Sequence, residues 1–139
     1  MTRRDSKTGG REDHTVESEV RAVLGKFKGL GKVAVPGTFV GKSGVQHKFS
    51  FATAGGKAPR IVGDIVLGPV EKDETKVLSL FIKVYDVDAK RAILCVTPSL
   101  TPEAAKLARL YNILTIESRD AKQIPGMLDD LMERLAKAA

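Results

Sequence analysis

The sequence predicts an α/β fold, a mixed central β-sheet flanked by helices, in the element order α-β-β-β-α-β-α-β-α. Three observations lead there. Helical apolar spacing marks both ends of the chain, a stretch with a period of two fills residues 33–67, and a continuous apolar run, "AILCV", introduces a strand–helix–strand unit.

The first helix is expected from about Thr15 to Lys28. Val16, Val20, Val23, Leu24 and Phe27 form one stripe, and "GLGK" ends it because glycine takes a left-handed cap cheaply. "KVAVPGTFV", "GVQHKFSFAT" and "PRIVGDIVLG" read as three strands separated by Pro-Gly, Gly-Lys-Ser-Gly and Gly-Gly-Lys turns. A second helix starts at about Asp73. Val77, Phe81, Val84 and Tyr85 share a face that Leu78, Leu80 and Ile82 broaden, so burial on more than one side is expected. "RAILCVTP" is typical of a parallel strand covered on both faces. Thr101 caps a third helix with Pro102 at its first position, and Asn112 closes it. "ILTIES" returns as a strand through a right-handed crossover. Asp120 caps the last helix, whose inward residues are Ile124, Met127, Leu128, Leu131 and Leu135.

A chain of 139 residues suits one domain with its own core, expected over residues 14–139, behind a disordered basic and polar tail at residues 1–13. No apolar run is long enough to span a bilayer, and the N-terminus lacks the apolar centre of a secretory signal. The lone cysteine, Cys95, excludes an internal disulfide and a cysteine-rich zinc site. It reads as a buried, inert thiol in a cytoplasmic protein.

The net charge of +6 is unevenly placed. Arg21, Lys26, Lys28, Lys32, Lys42, Lys48, Lys57 and Arg60 occupy a forty-residue segment that holds no Asp or Glu. The rest of the chain carries 15 basic residues against 17 acidic ones. Such a block is the usual electrostatic footprint of a polyanion binder. Aromatic residues are few and tryptophan is absent, so phosphate contact is favoured over base stacking. "GTFVGK" falls one residue short of a Walker-type phosphate loop and runs into a strand rather than a helix. It therefore reads as a tight turn using Gly41 and Gly44. His47 reads as a hydrogen-bonded structural histidine, and Tyr85 and Tyr111 as core residues.

"SGVQHKFSF", "RIVGDIV" and "AKRAILCVTPSLTPEAAKLARLYNILTIES" resemble the restriction-endonuclease-like, or PD-(D/E)xK, superfamily, closest to its Mrr-like branch and small archaeal relatives. The likeness covers about Thr15 to Ser118. It implies a restriction-endonuclease-like core and a site where two carboxylates on adjacent strands hold Mg²⁺ or Mn²⁺ while a lysine orients the attacking water. Carried over by position, the first-strand Asp falls at Ser50, the second carboxylate at Asp64 and the catalytic lysine at Val66. Glu17 or Glu19 would be the first-helix acid, and Lys48 or Lys83 a displaced lysine.

Three readings result. The favoured one is a non-catalytic nucleic-acid-binding protein that needs no cofactor and contacts phosphates through Lys32, Lys42, Lys48, Lys57 and Arg60. The second is a divalent-metal nuclease with Asp64, Lys48 and Lys83 as catalytic residues and Asp64 and Glu19 as metal ligands. The third is an assembly subunit, a homodimer or a protein-partner complex, using the last helix and the sheet edge.

Overall fold

The computed structural model describes residues 16–27, 29, 31–55, 59–68 and 72–138. The expected tail and Lys57 lie outside the described residues. Helix α1 covers residues 16–25. Strands β1 (Lys32–Ala34), β2 (Gly37–Val40), β3 (Gln46–Phe49), β4 (Phe51–Ala54) and β5 (Pro59–Val66) follow. Helix α2 (Asp73–Val87), strand β6 (Arg91–Val96), helix α3 (Pro102–Leu110), strand β7 (Ile113–Glu117) and helix α4 (Ile124–Ala138) complete the chain.

The three strands expected before α2 are five. Pro36 cannot donate to a ladder, and the first segment breaks there into β1 and β2. The second breaks at Ser50 into β3 and β4. The pieces then enter different sheets: β2 and β3 form a separate antiparallel pair, and the main sheet runs β1-β4-β5-β6-β7. In it β1, β4 and β5 are antiparallel neighbours, while β5, β6 and β7 are parallel. The architecture is the expected mixed α/β fold, a central sheet flanked by helices.

Each face of the sheet carries its own core, as the pleat requires. Val62, Leu94, Val96 and Ala92 meet Val77, Leu80 and Val87 of α2 and Ala104 and Ala108 of α3. Ile61, Ile93, Cys95 and Ile116 meet Val16, Val20 and Leu24 of α1 and Ile124, Leu128 and Met132 of α4. Met127, Leu131 and Leu135 pack half-buried against this second core, so the last helix spends its apolar stripe internally.

Helix α2 departs from its expected double-sided burial. Leu78, Ile82 and Tyr85 are exposed by 39%, 61% and 69%, so only one side faces the sheet. Tyr85 is therefore a surface residue, whereas Tyr111 stacks on Phe81 with ring centroids 4.1 Å apart. The helix boundaries follow the capping signals. Thr101 Oγ1 accepts from the Ala104 amide and Asn112 adopts a φ of 59°. The Asp120 side chain caps the short 3₁₀ turn Ala121–Gln123 that leads into α4. The buried Asp73 carboxylate accepts from both the amide and the hydroxyl of Thr101, tying the start of α2 to the start of α3. Among the described residues no helix is long and apolar enough to cross a membrane.

One cross-strand pair fixes how closely β4 and β5 approach. Phe51 lies opposite Gly63, and a Cβ on Gly63 would collide with the Phe51 ring. Gly63→Ala is therefore expected to destabilise the fold by about 1–3 kcal/mol through overpacking. The check is a lower urea midpoint at unchanged m-value.

Candidate functional site

The site arises where β5 outruns its neighbour. Strand β4 begins at Phe51 opposite Gly63, so Asp64, Ile65 and Val66 extend past the ladder on that side while still pairing with Leu94, Cys95 and Val96 on the other. Ser50 stands at the gap. Its hydroxyl accepts from the Ile65 amide at 2.9 Å, replacing the missing ladder bond, and its own amide donates to Asp64 Oδ1 at 3.2 Å.

Asp64 belongs to the sheet face that carries α2. Lys83, three turns into that helix, donates to Asp64 Oδ2 at 2.7 Å and to the Lys48 carbonyl at 2.7 Å. Its ammonium also sits 4.7 Å from the Phe49 ring centroid. Both partners of the pair are largely withdrawn from water, at 18% and 20% side-chain exposure. The pairing of Asp64 is thus with Lys83, not with Lys48 or Arg60. Lys48 enters the pair only through its backbone carbonyl. A cavity of about 450 Å³ opens beside it, lined by Glu17, Pro36, Lys48, Phe49, Ser50 and Asp64. A second of about 180 Å³ adjoins it, between Val16, Glu17, Ser50, Ile65 and Leu67. Glu17 therefore faces the site, whereas Glu19 is exposed elsewhere on α1.

The donor set does not fit a divalent cation. Mg²⁺ and Mn²⁺ seek several hard, largely anionic oxygens. Here Ser50, where the sequence likeness expects a first carboxylate, carries only a hydroxyl, and that hydroxyl is engaged by a backbone amide. Each oxygen of Asp64 already accepts a hydrogen bond. Among the described residues no group of three His, Cys, Asp or Glu side chains is placed to hold a metal ion. The Lys83 ammonium supplies a balancing charge at Asp64 Oδ2.

The basic segment is not gathered into one patch. Arg21 donates to the Val35 carbonyl, Lys26 pairs with Asp129 at 2.8 Å, and Arg60 donates to the Gly29 carbonyl at 3.0 Å. Lys32 is exposed on β1, paired in register with Ala54, near the start of β5. Lys42 lies over Tyr85 of α2, and Lys48 borders the cavity. Acidic residues remote in sequence, Asp64, Asp86 and Asp129, fold back against this segment or its neighbours.

Sequence reasoning missed Asp86. In α2, its carboxylate accepts from the Ser43 amide at 2.9 Å, the Ser43 hydroxyl at 2.6 Å and His47 Nε2 at 2.7 Å. The Gly41–Val45 turn lets this happen: a side chain on Gly41 would collide with the Asp86 carboxylate, and Gly44 adopts a φ of +88°. The Lys42 amide completes the attachment by donating to the Asp86 carbonyl. Asp86 sits between Ser43 and His47, so His47 does not bridge acid to hydroxyl as a nucleophile-activating base must. The cluster instead pins the β2–β3 hairpin to α2. The only advance signal was the quoted glycine-lysine-serine turn followed by a histidine.

Hydrogen bonds from Ser43 and His47 hold the Asp86 carboxyl down at about 2. A depressed carboxylate stabilises the fold above its unfolded value of 3.8, and that contribution disappears as pH falls through 2. Asp86→Asn is thus expected to lower the melting temperature near neutral pH, and the difference from the parent chain should close below about pH 2 in an acid series. At the ion pair, Lys83→Met alone strands the Asp64 carboxylate. Asp64→Asn with Lys83→Met should recover part of the loss, giving a coupling of about 1–3 kcal/mol in a denaturation double-mutant cycle.

No protein-family model matches the sequence, and no curated protein matches it. Among solved structures the chain is similar to Can2 from Sulfobacillus thermosulfidooxidans, determined in complex with cyclic tetra-adenylate. The TM-score is 0.54 at 14% identity. The likeness covers 86% of this chain but 35% of the Can2 chain, so this chain spans about a third of the length of that structure. It supports a nuclease-like α/β fold and gives no support to the Mrr-like branch.

Proposed function

We propose that the chain is a non-catalytic nucleic-acid-binding protein on a nuclease-like scaffold, with residues 14–139 acting as one cytoplasmic domain. The observation that carries this reading is the closed state of Asp64. Its two oxygens each accept a hydrogen bond, from Lys83 and from the Ser50 amide, and Ser50 stands at the position of the first acid. A scaffold of this kind retains a groove beside β5 while an internal ammonium balances Asp64. Of the sequence-derived candidates Lys32, Lys42, Lys48, Lys57 and Arg60, Lys48 borders the groove and is the proposed principal phosphate contact, whereas Arg60 is held by the Gly29 carbonyl and Lys42 lies over Tyr85. Such contact would neutralise backbone charge without reading bases. The structural neighbour Can2 is in complex with cyclic tetra-adenylate, itself a phosphodiester polyanion, which agrees with this ligand class.

The competing reading is a divalent-metal nuclease. It draws on one observation: Glu17 and Asp64 face the same cavity, beside Lys83. In that reading Asp64 and a first-helix acid would share the metal.

One experiment separates the two. Filter binding of DNA and RNA between 50 and 300 mM salt should show affinity falling with a log–log slope on the order of several units, and Lys48→Gln should lower that slope by about one. Nucleic acid incubated with the protein and Mg²⁺ or Mn²⁺ should remain intact. Salt-independent binding, or none at low salt, defeats the binding reading. Cleavage abolished by Asp64→Ala establishes the nuclease.

A further inference from the structure

The stretches that meet at one end of the main sheet are almost uniformly basic. Residues 26–32 lead into β1, 54–60 join β4 to β5, 88–91 lead into β6 and 109–113 lead into β7. Together they hold eight Lys and Arg residues and one acid, Asp88. At the opposite end, residues 34–37, 49–51, 66–73, 96–102 and 117–123 hold three basic residues against four acidic ones. The block that is contiguous in sequence disperses, yet the topology assembles a basic row from pieces taken all along the chain.

Strand pairing sets the order of that row. Lys32 lies opposite Ala54, and Ala54 lies opposite Pro59, which precedes Arg60. The Lys90 amide donates to the Arg60 carbonyl at 3.1 Å, and Arg91 lies opposite Ile61. Arg109 stands at the far end, where the Asn112 amide donates to its carbonyl and the next residue, Ile113, lies opposite Ala92. Lys32, Arg60, Lys90, Arg91 and Arg109 are all exposed, and among the described residues none of them joins an ion pair. Lys26, by contrast, is matched by Asp129. The Arg60 guanidinium is fixed in place: it donates to the Gly29 carbonyl at 3.0 Å, and a side chain on Gly55 would collide with it. That bond uses one of its five N–H donors and leaves a positioned fork for an outside acceptor.

The row runs across all five strands, a span of about 19 Å at the usual interstrand spacing, and lies about 13 Å along β5 from Asp64. One strand of a nucleic acid presents a phosphate about every 3.4 Å of axis, so about five would face the row. Three of the five cations are guanidinium groups, whose planar fork matches a pair of phosphate oxygens. Binding to a bilayer draws on buried apolar area as well as charge, and Leu110 is a lone exposed apolar side chain beside Arg109. A linear polyanion therefore fits the row better than a membrane does.

We infer that this end of the sheet is a second phosphate-contact surface, separate from the groove beside Asp64, along which Lys32, Arg60, Lys90, Arg91 and Arg109 track one strand of a nucleic acid. The inference rests on the proposed nucleic-acid binding and adds a place where it occurs. Asp88, exposed at the C-terminal cap of α2, is the charge that opposes it.

The test is filter binding of a DNA duplex and of a single-stranded RNA to the full chain between about 50 and 300 mM salt. Lys90→Gln with Arg91→Gln should weaken binding at least about fivefold at the lowest salt and lower the log–log slope by about two. Asp88→Asn should tighten binding several-fold, because it removes the opposing charge while asparagine keeps the left-handed conformation at φ 59°. This gain is one that a destabilised fold does not produce. Lys122→Gln, at the opposite end of the sheet, should leave affinity and slope unchanged. Parent-like binding by the Lys90→Gln, Arg91→Gln variant overturns the inference, and if Lys48→Gln meanwhile loses affinity the proposed function stands. An Asp88→Asn variant that binds no tighter also overturns it. A parent chain that binds no nucleic acid overturns both readings. One that binds vesicles containing phosphatidylserine in place of nucleic acid overturns the partner named here.

Discussion

The register of β4 against β5 is the constraint on which the site depends. Because Phe51 must lie over Gly63, β4 starts there, and the next residues of β5 lose their antiparallel neighbour. Backbone polar groups at a sheet interior have to be satisfied. Ser50 satisfies one by accepting from Ile65, and the chain preceding it leaves as the β2–β3 hairpin instead of continuing the sheet. The hairpin must then be held by something else. Helix α2 does it, through Lys83 at the Lys48 carbonyl and Asp86 at Ser43 and His47. Two carboxylates thus organise the junction of sheet, hairpin and helix.

This arrangement recasts the chemistry of the pocket. A carboxylate that serves a metal must keep its lone pairs directed into open space. Asp64 instead directs one oxygen at an ammonium and the other at an amide, and the lysine that accompanies it is held by a carbonyl as well. The same side chains that would orient water around a cation act as a clamp between β5 and α2. Glu17 is the remaining acid on the cavity wall, contributed by a helix from the opposite face of the sheet.

Much of the fold was legible because local signals and tertiary structure agree. The Thr101–Pro102 opening of α3, the left-handed Asn112 and the Asp120 cap all rest on chemistry within a few residues. The breaks at Pro36 and Ser50 were hidden because alternation continues across both, and only pairing partners reveal that the two halves enter different sheets. The stripe on α2 was misread for a related reason: hydrophobic content says which residues favour burial, not whether a second layer exists to bury them. At the site, Asp64 and Lys83 emerged from the resemblance, while choosing between Glu17 and Glu19 needed the docking angle of α1. Asp86 could not be found, since its partners lie some forty positions away. The basic block shows the converse limit. It is contiguous in sequence and dispersed in space.

Cys95 sits fully enclosed at the middle of the parallel strands, and burial together with the nearby charge of Asp64 pushes its thiol up to about 12. The one thiol of the chain is therefore shielded at neutral pH. Any cysteine engineered onto its exterior would be singly addressable by maleimide dyes or spin labels, with the native sulfhydryl left silent inside.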